Sequence, residues 1–255
     1  MELSFSIDSW SAWSSDKDSF TGKVNGVAGD VAETLPPCHS LIPASKRRKM
    51  STLSKTAVSI ALDCLNKYKG LSNSDVTENP ICVFASRHGE LVRSTKIIES
   101  MLDGEDISPT DFSMSVHSTA LGLFSILTEN KDFTTSIAGG EDSFVYGLIE
   151  ACMQLAEKPI RKVLLVYFDE PLPNALSKFE KTHSKSICIS LLISVARKGS
   201  PYYMFRAIDS NARVKKNEYN DVGEMFLNFY LSEDKSLSVR KATTPSSIWN
   251  WQREC

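Results

Sequence analysis

The segment Phe133-Thr-Thr-Ser-Ile-Ala-Gly-Gly-Glu-Asp142 has the residue order of a site built to hold a reactive group. A short β-branched run enters a turn of small residues, and an apolar periodic stretch follows to about Glu157. That order predicts strand, tight turn and helix. Residue 137 then stands at the mouth of the turn, beside a helix N-terminus. Free backbone N–H groups and the positive end of the helix dipole gather there. Such a place suits a thiolate or an alkoxide, because both need stabilised negative charge. The residue in that place is Ile137, which can be neither. The competing reading is a plain core isoleucine, with Gly139 and Gly140 serving close packing only.

Other groups able to do chemistry are few. Cys38-His39 is the only adjacent Cys–His pair, and side chains of sequence neighbours generally diverge. Ser143 falls one turn inside the helix and should point along it. The run Lys46-Arg47-Arg48-Lys49 precedes a helix start, where positive charge is unfavourable. Something else must retain it: docking of an acidic protein or a phosphate, or simple solvation. The six cysteines are scattered singly, several inside apolar stretches, which reads as buried, reduced thiols. No second ligand pair accompanies Cys38-His39, so no metal site is expected.

A hydrophobic fraction of 42% over 255 residues allows a substantial core without staples. The net charge of −2 gives no reason to expect nucleic acid or an anionic membrane as the main partner. No apolar run approaches the roughly 18 residues of a membrane span, and Met1-Glu-Leu-Ser-Phe-Ser-Ile-Asp8 lacks the look of a signal peptide. A cytoplasmic protein is the expectation.

The first 50 residues read as polar and irregular. Ser51 then caps an amphipathic helix to about Tyr68, with Leu53, Ala57, Ile60, Ala61 and Leu65 at helical spacing. Ile81 to Ala85 reads as a buried strand. A helix with Leu91, Thr95, Ile98 and Leu102 on one face follows, and a third helix spans Ser115 to about Thr128. After the elbow come a buried strand from Val163 to Phe168, then adjacent strands Ile187–Ala196 and Tyr202–Ile208 joined by Lys198-Gly-Ser-Pro201. A last helix runs from Asn220 to Leu231. Alternating strands and helices argue for an α/β sheet core closed by a hairpin.

Four stretches, in order, resemble the β-ketoacyl synthase family of the thiolase-like fold: Pro43 to Lys55, Val83 to Leu91, Phe112 to Gly122 and Ile137 to Asp142. With the Trp249-Asn-Trp-Gln-Arg253 ending, they resemble its short branch, which includes chain-length-factor-like subunits of aryl polyene biosynthesis. The resemblance implies a thiolase-like α/β fold, the ketosynthase N-terminal half, with a mixed sheet flanked by helices, and one truncated domain over residues 1–255. Active members carry cysteine at the elbow and a histidine pair in a second half. Here Ile137 stands at the elbow, and His183 is the only histidine after it. The resemblance therefore implies a non-catalytic partner of a full-length ketosynthase, forming a heterodimer and shaping the acyl tunnel. Many chain length factors carry glutamine at the elbow, and Ile137 departs from that as well.

The resemblance also implies site roles. Phe133, Thr135 and Ile137 lie on the strand that meets the partner. His88 lies where the family places a gate, His117 in the segment that reaches toward the partner, and Phe112 and Met114 just upstream, where bulk would limit chain length. Lys46, Arg47, Arg48 and Lys49 become candidates for docking acyl carrier protein. No cofactor is expected to bind directly; a phosphopantetheinyl acyl carrier protein would serve the complex. Two alternatives stand beside this: a free-standing carrier-binding module, and a residual acyltransferase or thioesterase using Cys38, His39 or Ser143.

Overall fold

The computed structural model describes residues 2–16, 19–20, 39–71, 79–180, 185–197, 199–209, 221–242, 244 and 246–254. Cys38, His183 and Lys198 lie outside them. In chain order the elements are β1 (Glu2–Ser14), α1 (Ala44–Arg47), α2 (Thr52–Leu71), β2 (Ile81–Ala85), α3 (Leu91–Leu102), α4 (Pro109–Ser113), α5 (Thr119–Thr128) and β3 (Thr134–Ile137). Then come α6 (Ser143–Glu157), β4 (Val163–Asp169), β5 (Ile187–Val195), β6 (Tyr202–Asp209), α7 (Val222–Leu231), β7 (Ser236–Arg240) and β8 (Ser247–Glu254).

The strands form one mixed sheet in the order β3-β2-β4-β5-β1-β6-β8-β7. The pairs β2–β3 and β2–β4 are parallel, and the rest are antiparallel. The strand alternation assigns each face. Leu164, Val166 and Phe168 of β4 face a layer with Leu53, Ala57, Ile60 and Ala61 of α2 and Phe124 of α5. Leu165 and Tyr167 face the other layer, with Phe144 and Leu148 of α6 and Phe226 of α7. A sheet sealed on both faces explains why β2 and β4 read as unbroken apolar runs. The expected mixed sheet flanked by helices is the one observed.

Three local expectations need correction. The first residues are not irregular: β1 lies deep in the sheet, paired on both sides. A bulge between Ile7 and Ser9 shifts its alternation by one residue, so Phe5, Trp10 and Ala12 reach one core layer and Trp13 the other. Ser9 and Ser11 face α2 and bond to it: Ser9 Oγ donates to the Cys64 carbonyl at 2.8 Å, and Ser11 Oγ to Asp63 at 2.6 Å. Polar composition thus concealed a buried strand.

Second, β5 and β6 are not neighbours, because β1 inserts between them. Third, α5 starts at Thr119, after a short α4 capped by Ser108. The intervening turn is held by His117, described below. The apolar stripe of α3 is largely left open. Only Thr95 is buried, while Ile98 is 56% and Leu102 82% exposed. By contrast, Ser51 caps α2 as expected, its Oγ accepting from the Ser54 N–H at 2.9 Å. Among the described residues no helix is long and apolar enough to cross a membrane.

Candidate functional site: the strand–helix elbow

Parallel pairing brings the ends of β2 and β3 level, with Ala85 opposite Ile137, and the Ser86 N–H donates to the Ile137 carbonyl at 3.1 Å. The chain then turns through Ala138 and Gly139 into a 3-10 turn, Gly140–Asp142, and on into α6. Gly140 has a φ of +62°, the left-handed region that favours glycine. A Cβ on Gly139 would sit 2.3 Å from the Tyr146 ring. Ile137 occupies the mouth of the elbow, half-buried and packed against the α6-side core.

The turn spends much of its own polarity. Ser143 is fully buried; its Oγ donates to the Gly140 carbonyl at 2.7 Å and accepts from the Gly139 N–H at 3.0 Å. Its hydroxyl is held against the backbone rather than presented to a substrate. Asp142, also fully buried, accepts from Trp249 Nε1 at 2.9 Å and from the Ala242 N–H at 3.2 Å. Trp249 in turn meets Tyr146 edge-on at 6.0 Å and carries the Lys241 ammonium over its ring at 4.0 Å. The β7–β8 hairpin is therefore pinned to the elbow through one carboxylate. Sequence reading missed this, because an acid in a helix's first turn needs no further reason to be there.

His117 joins the elements beneath the elbow. Its Nε2 donates to the Ser86 carbonyl at 2.8 Å; with the ring neutral, Nδ1 accepts from Ser136 Oγ at 2.9 Å. The ring packs on Gly89, whose φ is +54° and whose added Cβ would lie 2.9 Å from it. His88 is half-buried, and burial lowers its pKa, with further lowering by the positive charge of Arg87 and Glu180 opposing.

Behind Ser86 lies an ionisable cluster. The Asp169 carboxylate, 4% exposed, accepts from the Arg87 N–H at 3.1 Å and from Ser86 Oγ at 3.2 Å. The Arg87 guanidinium lies 3.7 Å from Asp169 and 3.4 Å from Glu180. Tyr167 Oη donates to Asp221, the N-cap of α7, and lies 3.4 Å from Asp169. Burial pushes the Asp169 carboxyl up to about 7, with Arg87 opposing and Asp221 adding to the rise. Tyr167 and Asp221 are raised too, in both cases chiefly by burial. Residues so far apart in sequence carry no spacing signal, and none of this was legible in advance.

The remaining candidates sit at the surface. Phe112 is 66% exposed and Phe133 46%, while Met114 and Thr135 are half-buried. Lys46, Arg48 and Lys49 are exposed; Arg47 is half-buried and donates to the His39 carbonyl at 2.9 Å. His39 bonds Ser59 Oγ at 3.0 Å, and burial lowers its pKa. Cys64, Cys82, Cys152 and Cys188 are buried free thiols, all pushed up by burial, Cys64 to about 11. Among the described residues no three His, Cys, Asp or Glu side chains gather as a metal site would need.

A two-faced mixed sheet with a glycine-rich strand–helix elbow at the end of its parallel strands defines a ketosynthase-type, thiolase-like domain. The family model for the β-ketoacyl synthase N-terminal domain matches residues 10–252, and the chain belongs to that family. Among solved structures it is similar to a chain of the ketosynthase ApeO in complex with its chain length factor ApeC from Xenorhabdus doucetiae. The identity is 26%, with a TM-score of 0.76, over 98% of this chain and 100% of that one. The ishigamide ketosynthase/chain length factor shares the fold at 17% identity and a TM-score of 0.58, over 82% of this chain and 68% of that one. So does a type II polyketide synthase complex of an acyl-carrier protein with its ketosynthase, AntDE:AntF, at 8% identity and 0.59, over 100% of both chains. No curated protein matches the sequence.

Proposed function

We propose that this chain is a non-catalytic, chain-length-factor-like partner of a ketosynthase, acting in polyketide synthesis of the aryl polyene kind. The observation that carries the reading is the flank beside the elbow. No strand of the described residues pairs with the outer side of β3. Around it, the stretch from α3 to β3 leaves Ile98, Met101, Phe112, Val116, Ile126 and Phe133 exposed. An open strand edge and exposed large apolar side chains are costly in a free chain and favourable in an interface. Ile137 offers no nucleophile for an acyl chain, which supports the reading that the chemistry belongs to the partner. The Xenorhabdus chain, matched over its whole length, comes from a complex of this composition.

In this reading Phe133, Thr135 and Ile137 face the partner, Phe112 and Met114 limit the tunnel by bulk, and His88 and His117 shape its wall. The exposed Lys46, Arg48 and Lys49 receive the carrier protein, with Arg47 fixing their turn to His39. The test is co-expression with the ketosynthase encoded nearest this gene, followed by size-exclusion chromatography with mass detection. A stable one-to-one complex supports the role. Two separate peaks overturn it and leave a free-standing carrier-binding module, favoured by the exposed basic run, as the reading to pursue.

A further inference from the structure

A cleft of about 480 Å³ opens between the first turn of α2, one side of α3 and the chain leading into α4, with Glu170 at the end of β4 on its floor. It shares no lining residue with the elbow. Its frame is held by hydrogen bonds and ion pairs. Glu90, 4% exposed, accepts from Ser51 Oγ at 2.6 Å and Ser54 Oγ at 2.5 Å, and pairs with Arg93 at 3.4 Å. Arg93 also holds Asp111 and donates to the Lys49 carbonyl at 3.3 Å. These bonds tie α2, α3 and α4 together and consume the charges of Glu90, Arg93 and Asp111.

What remains is uncommitted. Lys55 from α2 and Lys96 from α3 line the cleft and form no ion pair among the described residues. Val92 and Ile107 supply apolar wall, and the hydroxyl-bearing Thr52 opens α2 toward the same space, where the helix dipole is positive. A pocket of this size with a few convergent polar groups is the ordinary form of a small-ligand site. It also lies at the carboxyl ends of parallel strands, where α/β sheets bind ligands.

We propose that this cleft binds a small tetrahedral oxyanion of the phosphate-ester class between the ammonium groups of Lys55 and Lys96. Donors approach from two helices, which a tetrahedral anion satisfies better than a planar carboxylate. Glu170 fits the same role. Burial, Glu90 and Asp169 push its carboxyl up to about 7, with Lys96 opposing. A bound anion favours the neutral form further, and a neutral carboxyl donates a hydrogen bond. The other charges around it are Lys55 on α2, Arg93 on α3, and Asp106 and Asp111 on the approach to α4. Binding is therefore coupled to proton uptake. The source of the anion is a phosphorylated small molecule or the phosphodiester of a carrier protein's pantetheine arm; the exposed Lys49 directly precedes Met50 of the cleft wall.

The probe is sulfate, which keeps one charge state across the range used. It is titrated into the full chain by calorimetry, with ionic strength held constant by chloride. Saturable binding is expected, weakened about tenfold by Lys55→Gln or Lys96→Gln, the loss of one charged hydrogen bond. Lys158→Gln, at the end of α6 on the other face of the sheet, leaves it unchanged. Binding should weaken between about pH 6 and about pH 8 in the native chain and stay flat in Glu170→Gln. A second titration with phosphopantetheine separates the sources: tighter binding than sulfate assigns the arm, equal binding a free phosphate. No saturable sulfate binding, or equal affinity in the Lys55→Gln/Lys96→Gln double variant, overturns the proposal. Neither result depends on whether a ketosynthase partner binds.

Discussion

Asp169→Asn is the substitution that most sharply tests the physics of the buried cluster. The folded chain holds the Asp169 carboxyl at about 7, raised from an ordinary 3.8. Below its unfolded value the group is protonated in both states, and the folded state keeps its full advantage. As pH rises toward 7, the unfolded chain ionises while the folded chain keeps its proton, so stability falls. The rise of roughly three units corresponds to about 4 kcal/mol over the whole span, of which about 3 kcal/mol is lost between about pH 5 and pH 8. Asparagine retains an oxygen to accept from Ser86 and Arg87 and cannot ionise, so it removes that slope. Glu170, Asp221 and Glu224, also raised chiefly by burial, act in the same direction in both chains; His39 and His88, lowered by burial, act in the opposite one. The quantity to measure is therefore the difference between the two chains in urea unfolding at each pH. The variant should gain on the native chain as pH rises. A difference that is the same at both pH values would refute the reasoning.

Two further outcomes follow from the elbow and its flank. Trp249→Phe removes the indole donor from buried Asp142 while keeping most of the ring contact; it should cost about 1.5–3 kcal/mol in urea unfolding, and no measurable loss would mean the hairpin is not pinned through that bond. Phe133→Asp changes a half-exposed side chain on the open edge. It should alter stability by no more than about 0.5 kcal/mol yet abolish co-purification with a ketosynthase, and retained binding would place the interface elsewhere.

What could be read from the sequence was what local pattern encodes. β2, β4 and α2 were legible because burial on two faces or on one stripe leaves a run or a period. The elbow was legible because Gly140 needs its positive φ. β1 was not: the bulge at Ile7–Ser9 breaks its alternation, and Ser9 and Ser11 face a helix they bond to rather than water. The insertion of β1 between β5 and β6 leaves no local trace, so a turn signal was taken for a hairpin. The stripe on α3 was read as apolar, but its period could not say what it faces, since a helix facing a partner and a helix facing its own sheet have the same period. Asp142, Asp169 and Asp221 owe their roles to contacts across the fold, which a linear pattern cannot show.

The place of β1 also sets a timetable. Glu2 pairs with Arg206, and Trp10 with Leu191, so β1 has no strand neighbours until β5 and β6, far downstream, are in place. The parallel set β3-β2-β4, with α2 and α6, can gather from contacts made earlier along the chain. The sheet becomes continuous only when β1 closes the longest loops in the molecule, a step whose entropy must be met before its pairing is gained. The sheet is therefore expected to close only when β1 enters between β5 and β6.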